Sequence, residues 1–295
     1  MRVTFGALHS GLDAINAAAE RFIEAQWQTS TGKRLRHLST DPAAAERAIA
    51  ERVELSTTDS YSRAGSAAAA RLSMLDSTLG DILEQITRAR VAAASGRTDA
   101  ADETTRAAAA ATLRGIRDAV AYDVNAKVDG HYVFGGAESD SQPYRVVDGA
   151  WVYAGDANEV TAEVARGRSA LRTMDGQRIL KGEDATDLLS VIDSLAVAVA
   201  AADTPTIDAG MAALDRAFAR VSRAQSRVGA DQVTVQESGD RLIDLKLASE
   251  ARLSLHENVD MAEAITRMTN ARTAYDAALA AVGARSQHSL LDFLR

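Results

Sequence analysis

The sequence contains no cysteine, only 3 prolines in 295 residues, and only 4% aromatic residues. Without cysteine the chain can form no disulfide, no thiolate metal site and no cysteine nucleophile. The rarity of proline leaves little to interrupt helices. Hydrophobic residues still make up 46% of the chain, with alanine abundant among them. Because alanine has the highest helix propensity, this composition predicts long, closely packed helices.

Basic runs and long apolar runs are also missing. The net charge is −8, with no basic block, which disfavours nucleic acid and anionic membrane as partners. The most apolar window, Val191 to Ala202, is interrupted by Asp193 and is shorter than the roughly 20 residues that span a bilayer. Met1 to Glu20 lacks a secretory signal. We expect a soluble chain, cytoplasmic or exported without a cleaved signal peptide.

Motifs for chemistry are incomplete. Thr31-Gly32-Lys33-Arg34 lacks the Ser or Thr that a phosphate loop needs after its lysine, and His256-Glu257 begins a zinc-protease motif that fails at Asp260. Gly135-Gly136 is typical of a turn after a strand. Five histidines lack the spacing of metal ligands: His9, His37, His131, His256 and His288. We therefore predict no enzyme activity, no cofactor and no metal site.

Apolar residues recur in alternating steps of four and three at both ends of the chain. The C-terminal set is Met261, Ile265, Met268, Tyr275, Leu279 and Val282, with Arg272 as a polar interruption. The N-terminal set is Leu8, Leu12, Ile15, Ala19 and Phe22. This spacing predicts coiled-coil seams that pair with each other, although ordinary packing faces within one helical bundle would show the same pattern.

Further helices follow from caps and periodicity. Gly32 is suited to end the first helix, which starts near Thr4, and Asp41-Pro42 to begin the second, which runs to about Ala94. The core positions of the second helix are Leu72, Leu75, Leu79, Ile82, Ile86, Ala89 and Ala93, and those of the third are Leu113, Ile116, Val120 and Val124. A late helix repeats every seven residues at Ile207, Leu214, Val221, Val228, Val235 and Leu242. That helix would be about 70 Å long if Gly229 or Gly239 does not break it.

A β module is predicted from Gly130 to Leu180, where β-forming residues replace alanine. Three Asp-Gly pairs there are typical of hairpin turns: Asp129-Gly130, Asp148-Gly149 and Asp175-Gly176. Val160, Ala162 and Val164 alternate as a further strand.

The predicted fold is mainly α with a small β insertion: a long antiparallel helical rod, N- and C-terminal coiled-coil helices and a central β-hairpin module. We divide it into five parts: a terminal assembly helix and linker at 1–40, a first rod arm at 41–129, the β module at 130–182, a second rod arm at 183–257, and a C-terminal assembly helix at 258–295.

Five segments carry a resemblance to a known family. They are Met1-Arg2-Val3, Ser30 to Arg34, Ser39 to Ala44, Asp129-Gly130-His131-Tyr132-Val133-Phe134-Gly135-Gly136, and Ser289 to Leu294. In this order they resemble the bacterial flagellar hook-filament junction proteins, the third hook-associated proteins of the flagellin superfamily. Filament flagellin is the nearest alternative, but it usually continues with a second acidic residue where Pro42 stands. A cytoplasmic coiled-coil adaptor is an alternative from another class, and it would not explain the segment from Asp129 to Gly136.

The resemblance implies an extracellular structural protein, exported through the flagellar type III apparatus with a chaperone. It also implies self-association in a ring between hook and filament, with a neighbouring hook-associated protein and filament flagellin as partners. In that family the terminal segments are disordered in the free subunit and pair on assembly. The residues we expect at the assembly interface are Leu8, Leu12, Ile15, Phe22, Met261, Ile265, Met268, Tyr275, Leu279, Val282, Leu290, Leu291, Phe293 and Leu294.

Overall fold

The structure, a computed structural model, describes residues 2–37, 39, 41–98 and 101–293, with side chains of the terminal helices from residue 9 to residue 284. The helices are α1 Arg2–Thr31, α2 Pro42–Arg97, α3 Glu103–Asp123, α4 Gly176–Leu180, α5 Leu188–Ala201, α6 Thr204–Glu257 and α7 Met261–Phe293. The strands are β1 Lys127–Val128, β2 His131–Tyr132, β3 Tyr144–Val147, β4 Ala150–Tyr153, β5 Thr161–Ala165 and β6 Arg168–Leu171. A mainly α fold with a small β insertion is thereby confirmed.

The chain forms two compact units. One unit contains Met1–Thr57 and Leu245–Arg295, and the other contains Thr58–Asp244. We call them the terminal unit and the central unit.

The core of the central unit contains the predicted helix faces. Every member of the α2 series from Leu72 to Ala93 is buried, as are Leu113, Ile116 and Val120 of α3. On α6 the seven-residue series from Ile207 to Leu242 is buried throughout, and the helix passes Gly229 and Gly239 without a break. The heptad spacing thus identified the buried stripe of each helix.

Two of the three Asp-Gly pairs make the predicted hairpins. Asp129 and Gly130 have φ of 53° and 84° and join β1 to β2, while Asp148 and Gly149 have φ of 51° and 79° and join β3 to β4. Positive φ at both central residues is the geometry of a type I′ turn. The β module therefore begins at Lys127, three residues before the predicted boundary.

The third pair does not form a hairpin, and that prediction is wrong. Asp175 is the N-cap of α4, and its side chain accepts a hydrogen bond from the N–H of Gln177. Asp is equally suited to cap a helix or to open a tight turn, so the local dipeptide does not decide between them. Gly176 also packs against Phe134, whose carbonyl accepts a hydrogen bond from the Gly176 N–H at 3.0 Å.

The segment from Asp129 to Gly136 is a structural centre of the module. Val133 and Phe134 are buried, and their carbonyls accept hydrogen bonds from the N–H groups of Met174 and Gly176. Gly136 has φ of 62°, and an added Cβ there would lie 1.8 Å from the carbonyl oxygen of Asp156. The glycine pair therefore serves close backbone packing within a turn.

Candidate assembly surface

The terminal helices α1 and α7 pack against each other in antiparallel orientation. Near one end, a Cβ added to Gly11 would lie 3.0 Å from Cγ2 of Val282. Further along, the rings of Phe22 and Tyr275 stack with their centroids 6.3 Å apart. Beyond the ends of the two helices, Lys33 pairs with Asn258 in an antiparallel bridge. The residue numbers rise on α1 as they fall on α7, so the pair is antiparallel and forms within one chain.

The pairing face consists mostly of small residues. On α1 the buried and half-buried positions follow the four-three step at Gly11, Ile15, Ala18, Phe22 and Ala25. On α7 they do so at Ala264, Met268, Ala271, Tyr275, Ala278 and Val282. Glycine and alanine let the two backbones approach closely, with the larger side chains filling the spaces between them.

Several residues predicted for this seam lie beside it instead. Leu12 is 52% exposed, Ile265 is 49% exposed and Leu279 is 43% exposed. Met261 is exposed as well, whereas Ile15, Phe22, Met268, Tyr275 and Val282 lie in the pairing face. The seam is displaced by one residue at alternate positions, because the alanines allow closer contact than leucine and isoleucine would. The side chains of Leu8, Leu290, Leu291 and Phe293, and the whole of Leu294, lie outside the described residues.

The displaced residues form a second apolar surface. At 100° per residue, Leu12 and Ile23 lie about 110° around α1 from the centre of its pairing face, and Ile265 and Leu279 lie roughly 80° around α7 in the same sense. In an antiparallel pair, equal rotations turn both helices toward the same side. We call this surface the exposed stripe: Leu12, Ile23, Met261, Ile265 and Leu279.

A second contact in the terminal unit joins the segment that follows α1 to the segment between α6 and α7. The N–H of Val259 donates to the carbonyl of Gly32 at 3.0 Å, and the N–H of Arg34 donates to the carbonyl of Glu257 at 2.7 Å. Gly32 has φ of 68°, which ends α1 and turns the chain toward this contact. We call these paired segments, residues 32–34 and 256–259, the clasp.

Glu257 is the charged centre of the clasp. Its side chain is only 9% exposed and lies 3.1 Å from Nζ of Lys33 and 2.6 Å from Nη2 of Arg52. A carboxylate so deeply buried is stable only when it is paired, and here two cations supply the pairing. The incomplete zinc-protease motif thus contains a structural glutamate.

Asp41 ties the start of α2 to the same region. Its Oδ1 accepts a hydrogen bond from the N–H of Ala44 at 3.0 Å, and its Oδ2 lies 3.2 Å from Nη1 of Arg34. The hydrogen bond from Ala44, with Arg34 in support, lowers the pKa of Asp41 below its usual range. Residues of two resembling segments, Ser30 to Arg34 and Ser39 to Ala44, therefore meet in one structure.

Sequence reasoning missed both the small-residue face and the clasp. The face had a visible signal, because Gly11, Ala18 and Ala25 are spaced by seven, as are Ala264, Ala271 and Ala278. The clasp had none, since its partners are more than 220 residues apart and meet only in the folded unit.

The part of the chain with described side chains offers no group of three or more His, Asp or Glu residues placed to hold a metal ion. None of the helices, over the residues described, is both long and apolar enough to cross a membrane.

Comparison with known proteins bears directly on this helix pair. The model of the bacterial flagellin N-terminal helical region matches residues 7–139, and that of the C-terminal helical region matches residues 211–294. Together the two matches cover well over half of the chain and include α1 and α7. The chain belongs to the bacterial flagellin family.

Individual relatives indicate which proteins of the family this chain resembles. The chain is 28% identical over 205 residues to flagellar hook-associated protein 3 of Escherichia coli K12, a match that covers 63% of this chain and 62% of the relative. The chain thus spans under two thirds of the length of this curated relative.

Solved structures share the fold. A putative flagellar hook-associated protein from Vibrio parahaemolyticus superimposes with a TM-score of 0.68 at 23% identity, over 74% of this chain and 99% of that one. The flagellar junction protein FlgL from Legionella pneumophila gives a TM-score of 0.57 at 13% identity, over 71% of this chain and 100% of that one.

Proposed function

We propose that this member of the flagellin family is a structural subunit of the bacterial flagellum that forms the junction between hook and filament. Two kinds of relative support the proposal: the hook-associated protein 3 matched by sequence, and the junction protein that shares the fold. The observation that carries it is the exposed stripe, because it leaves apolar surface on a helix pair that is otherwise complete.

The stripe supplies a driving force for self-association. Fully burying one leucine or isoleucine side chain contributes roughly 1.5–3 kcal/mol, and the stripe residues have about half of that surface still in water. Five such residues on each of two surfaces amount to several kcal/mol of association free energy before the entropic cost of binding. Copies arranged around an axis would bury these surfaces in a ring, with a neighbouring hook-associated protein and filament flagellin above and below.

The location follows from the same proposal. A junction subunit works outside the cell, so the chain would be exported through the flagellar type III apparatus, with an export chaperone and without a cleaved signal peptide. Association would cover the exposed stripe only after export.

Leu279→Asp tests the role of the stripe. The charge would abolish assembly while leaving the chain folded, because Leu279 is not on the pairing face. Ala277→Asp is the matched control, since Ala277 is exposed on the far side of α7. Sedimentation velocity measures the extent of assembly, and circular dichroism measures whether the chain is folded. If Leu279→Asp unfolds the helix pair, or if both variants assemble like the wild type, the stripe is not the assembly surface.

Position in the flagellum separates the junction subunit from the alternatives. Immunogold labelling of isolated flagella would place a junction protein in one band between hook and filament. Label along the whole filament would identify a filament flagellin instead, and label confined to the cytoplasm would identify an adaptor.

A further inference from the structure

The central unit contains a cleft lined by arginines. It has a volume of about 810 Å³ and lies between α6 and the chain that follows α4. Four arginines of α6 and one of α4 line it: Arg216, Arg220, Arg223, Arg227 and Arg178. The four on α6 are spaced by four, three and four residues, so they follow one face of the helix.

Three of these arginines are held by the protein. Asp184 accepts from Nε of Arg216 at 2.8 Å and from Nη1 of Arg220 at 2.7 Å. Arg220 also donates to the carbonyls of Ile179 and Leu180. Arg227 lies 2.7 Å from Glu159. These bonds fix the walls of the cleft.

The other two have no carboxylate partner within the described residues. Nε of Arg223 donates only to the carbonyl of Ala219 in its own helix, and the guanidinium of Arg178 is exposed at the cleft. Arg223 also lies between Arg220 and Arg227, and like charges at this spacing repel each other. Four carboxylates also line the cleft, those of Glu159, Asp175, Glu183 and Asp184, so the five arginines leave a formal excess of one positive charge in a chain of net charge −8.

A surface of opposite charge lies on the same unit. Asp81 and Glu84 lie exposed on α2, and Asp123 ends α3 close enough to interact with Asp81. None of the three forms an ion pair within the part of the chain that the structure describes. These carboxylates lack a cationic partner there, just as Arg178 and Arg223 lack a carboxylate partner.

The two surfaces do not meet within one copy. Gln225 of α6 donates to Asp76 of α2 at 3.1 Å, so Gln225 marks the side of α6 that faces α2. Arg223 precedes it by two residues, about 200° around the helix. The residues that line the cleft include none from α2 or α3. Complementary surfaces on different faces of one subunit allow head-to-tail contact, which closes into a ring when the rotation permits.

We propose that the arginine cleft receives the carboxylates of Asp81 and Glu84, with Asp123 beside them, from a second copy of this chain. The inference rests on the proposed ring and adds an electrostatic contact between the central units of neighbouring subunits. Guanidinium groups suit this role because they bind carboxylates through two parallel hydrogen bonds. Exposed contacts of this kind set partner orientation and weaken as salt is added.

Charge reversal on the full chain tests the contact. Arg178→Glu with Arg223→Glu, and separately Asp81→Lys with Glu84→Lys, should each weaken association about tenfold in a sedimentation concentration series. In a mixture of the two double variants, a reversed cleft can meet a reversed acidic surface at one kind of interface. In a chain with all four changes, a reversed cleft meets a reversed acidic surface at every interface. The four-change chain should recover association to within about threefold of the wild type.

Arg114→Glu with Arg145→Glu is the matched control, because it makes the same charge change at exposed arginines outside the cleft. It should leave association unchanged. Loss of association without recovery in the four-change chain would overturn the pairing, and so would wild-type association in the cleft variant. If Leu279→Asp still abolishes assembly in that last case, the stripe stands and only the cleft contact fails. A wild-type chain that stays monomeric at every concentration would overturn both.

Discussion

The ring of Phe22 lies almost parallel to the ring of Tyr275, with an interplanar angle of 7° and centroids 6.3 Å apart. This stack lies between the Gly11–Val282 contact and the clasp, so it joins the two helices in the middle of the α1–α7 pair. Aromatic pairs contribute about 0.5–1.5 kcal/mol beyond the area they bury. The stack should therefore control how firmly α1 is held to α7.

Tyr275→Ala should loosen the helix pair by about 2 kcal/mol, since it removes both the stack and the apolar area of the ring. Backbone hydrogen exchange would show faster exchange throughout the middle of α1, while the central part of α6 stays protected. Thr273→Ala, on the exposed side of α7, should leave exchange unchanged. Equal exchange in α1 for Tyr275→Ala and the wild type would mean that the stack does not hold the pair together.

Glu257→Gln should destabilise the terminal unit by about 1–3 kcal/mol, because Lys33 and Arg52 lose the buried carboxylate between them. Trp27 lies in the terminal unit and Trp151 in the central unit, so Trp27 fluorescence in a Trp151→Phe background would follow the terminal unit during urea unfolding.

Glu263→Gln is the control for the clasp. Glu263 is 67% exposed and lies 3.8 Å from Arg267, so its replacement should cost less than about 0.5 kcal/mol. If the two variants unfold at the same urea concentration, the clasp adds nothing to the stability of the terminal unit.

The buried face of each long helix could be predicted because one physical rule decides it. On each long helix the apolar residues lie on one side of an otherwise polar surface, as in the series from Leu72 to Ala93 on α2 and from Ile207 to Leu242 on α6. The hydrophobic effect alone therefore decides which face is buried. The Asp129-Gly130 and Asp148-Gly149 turns were predictable for a similar reason, since few residues adopt positive φ at both turn positions.

The pairing face of α1 and α7 could not be predicted in the same way. Both helices carry an apolar arc wider than one contact, and hydrophobicity alone favours burial of Leu12 and Leu279 over Ala18 and Ala278. Close approach of the backbones decides in favour of the alanines, and that approach depends on the partner helix. The Glu257 clasp is harder still, because it depends on three residues from three separate parts of the chain.

Gly210→Ala and Gly229→Ala should have opposite effects, although both glycines lie inside α6. A Cβ on Gly210 would lie 2.5 Å from Cδ2 of Leu195, whereas a Cβ on Gly229 would meet nothing within 4 Å. Alanine in a helix is favoured over glycine by about 1 kcal/mol, so Gly229→Ala should raise the free energy of unfolding by that amount. At Gly210 the overlap with a fully buried Leu195 side chain outweighs that gain, with an expected net loss of about 1–3 kcal/mol.

Thermal unfolding followed by Trp151 fluorescence in a Trp27→Phe background would compare the two glycine variants. We expect a lower Tm for Gly210→Ala and a higher Tm for Gly229→Ala. A higher Tm for both would show that α5 shifts freely to make room for the new methyl group.

Asp123 should make the central unit less stable as the pH rises. Burial, with a smaller contribution from the neighbouring Asp81, raises the pKa of Asp123 to about 6, above the usual value of 3.8. Its place at the last position of α3 adds an unfavourable interaction with the helix dipole. The folded state therefore binds this proton more tightly than the unfolded state, so its stabilising effect is present below about pH 4 and is lost as the pH rises through 6.

Asp123→Asn removes this loss, because the amide stays neutral at every pH. The variant should match the wild type near pH 4 and be more stable by about 1–2 kcal/mol at pH 7.5, as measured by urea unfolding with the Trp151 reporter. Asp81→Asn should give a smaller gain at pH 7.5, because it removes the like charge and leaves Asp123 buried. If Asp123→Asn and the wild type differ by the same amount at both pH values, the carboxyl group titrates alike in the folded and unfolded chain. A gain from Asp81→Asn as large as that from Asp123→Asn would mean that repulsion between the two carboxylates, and not burial, is the main cause.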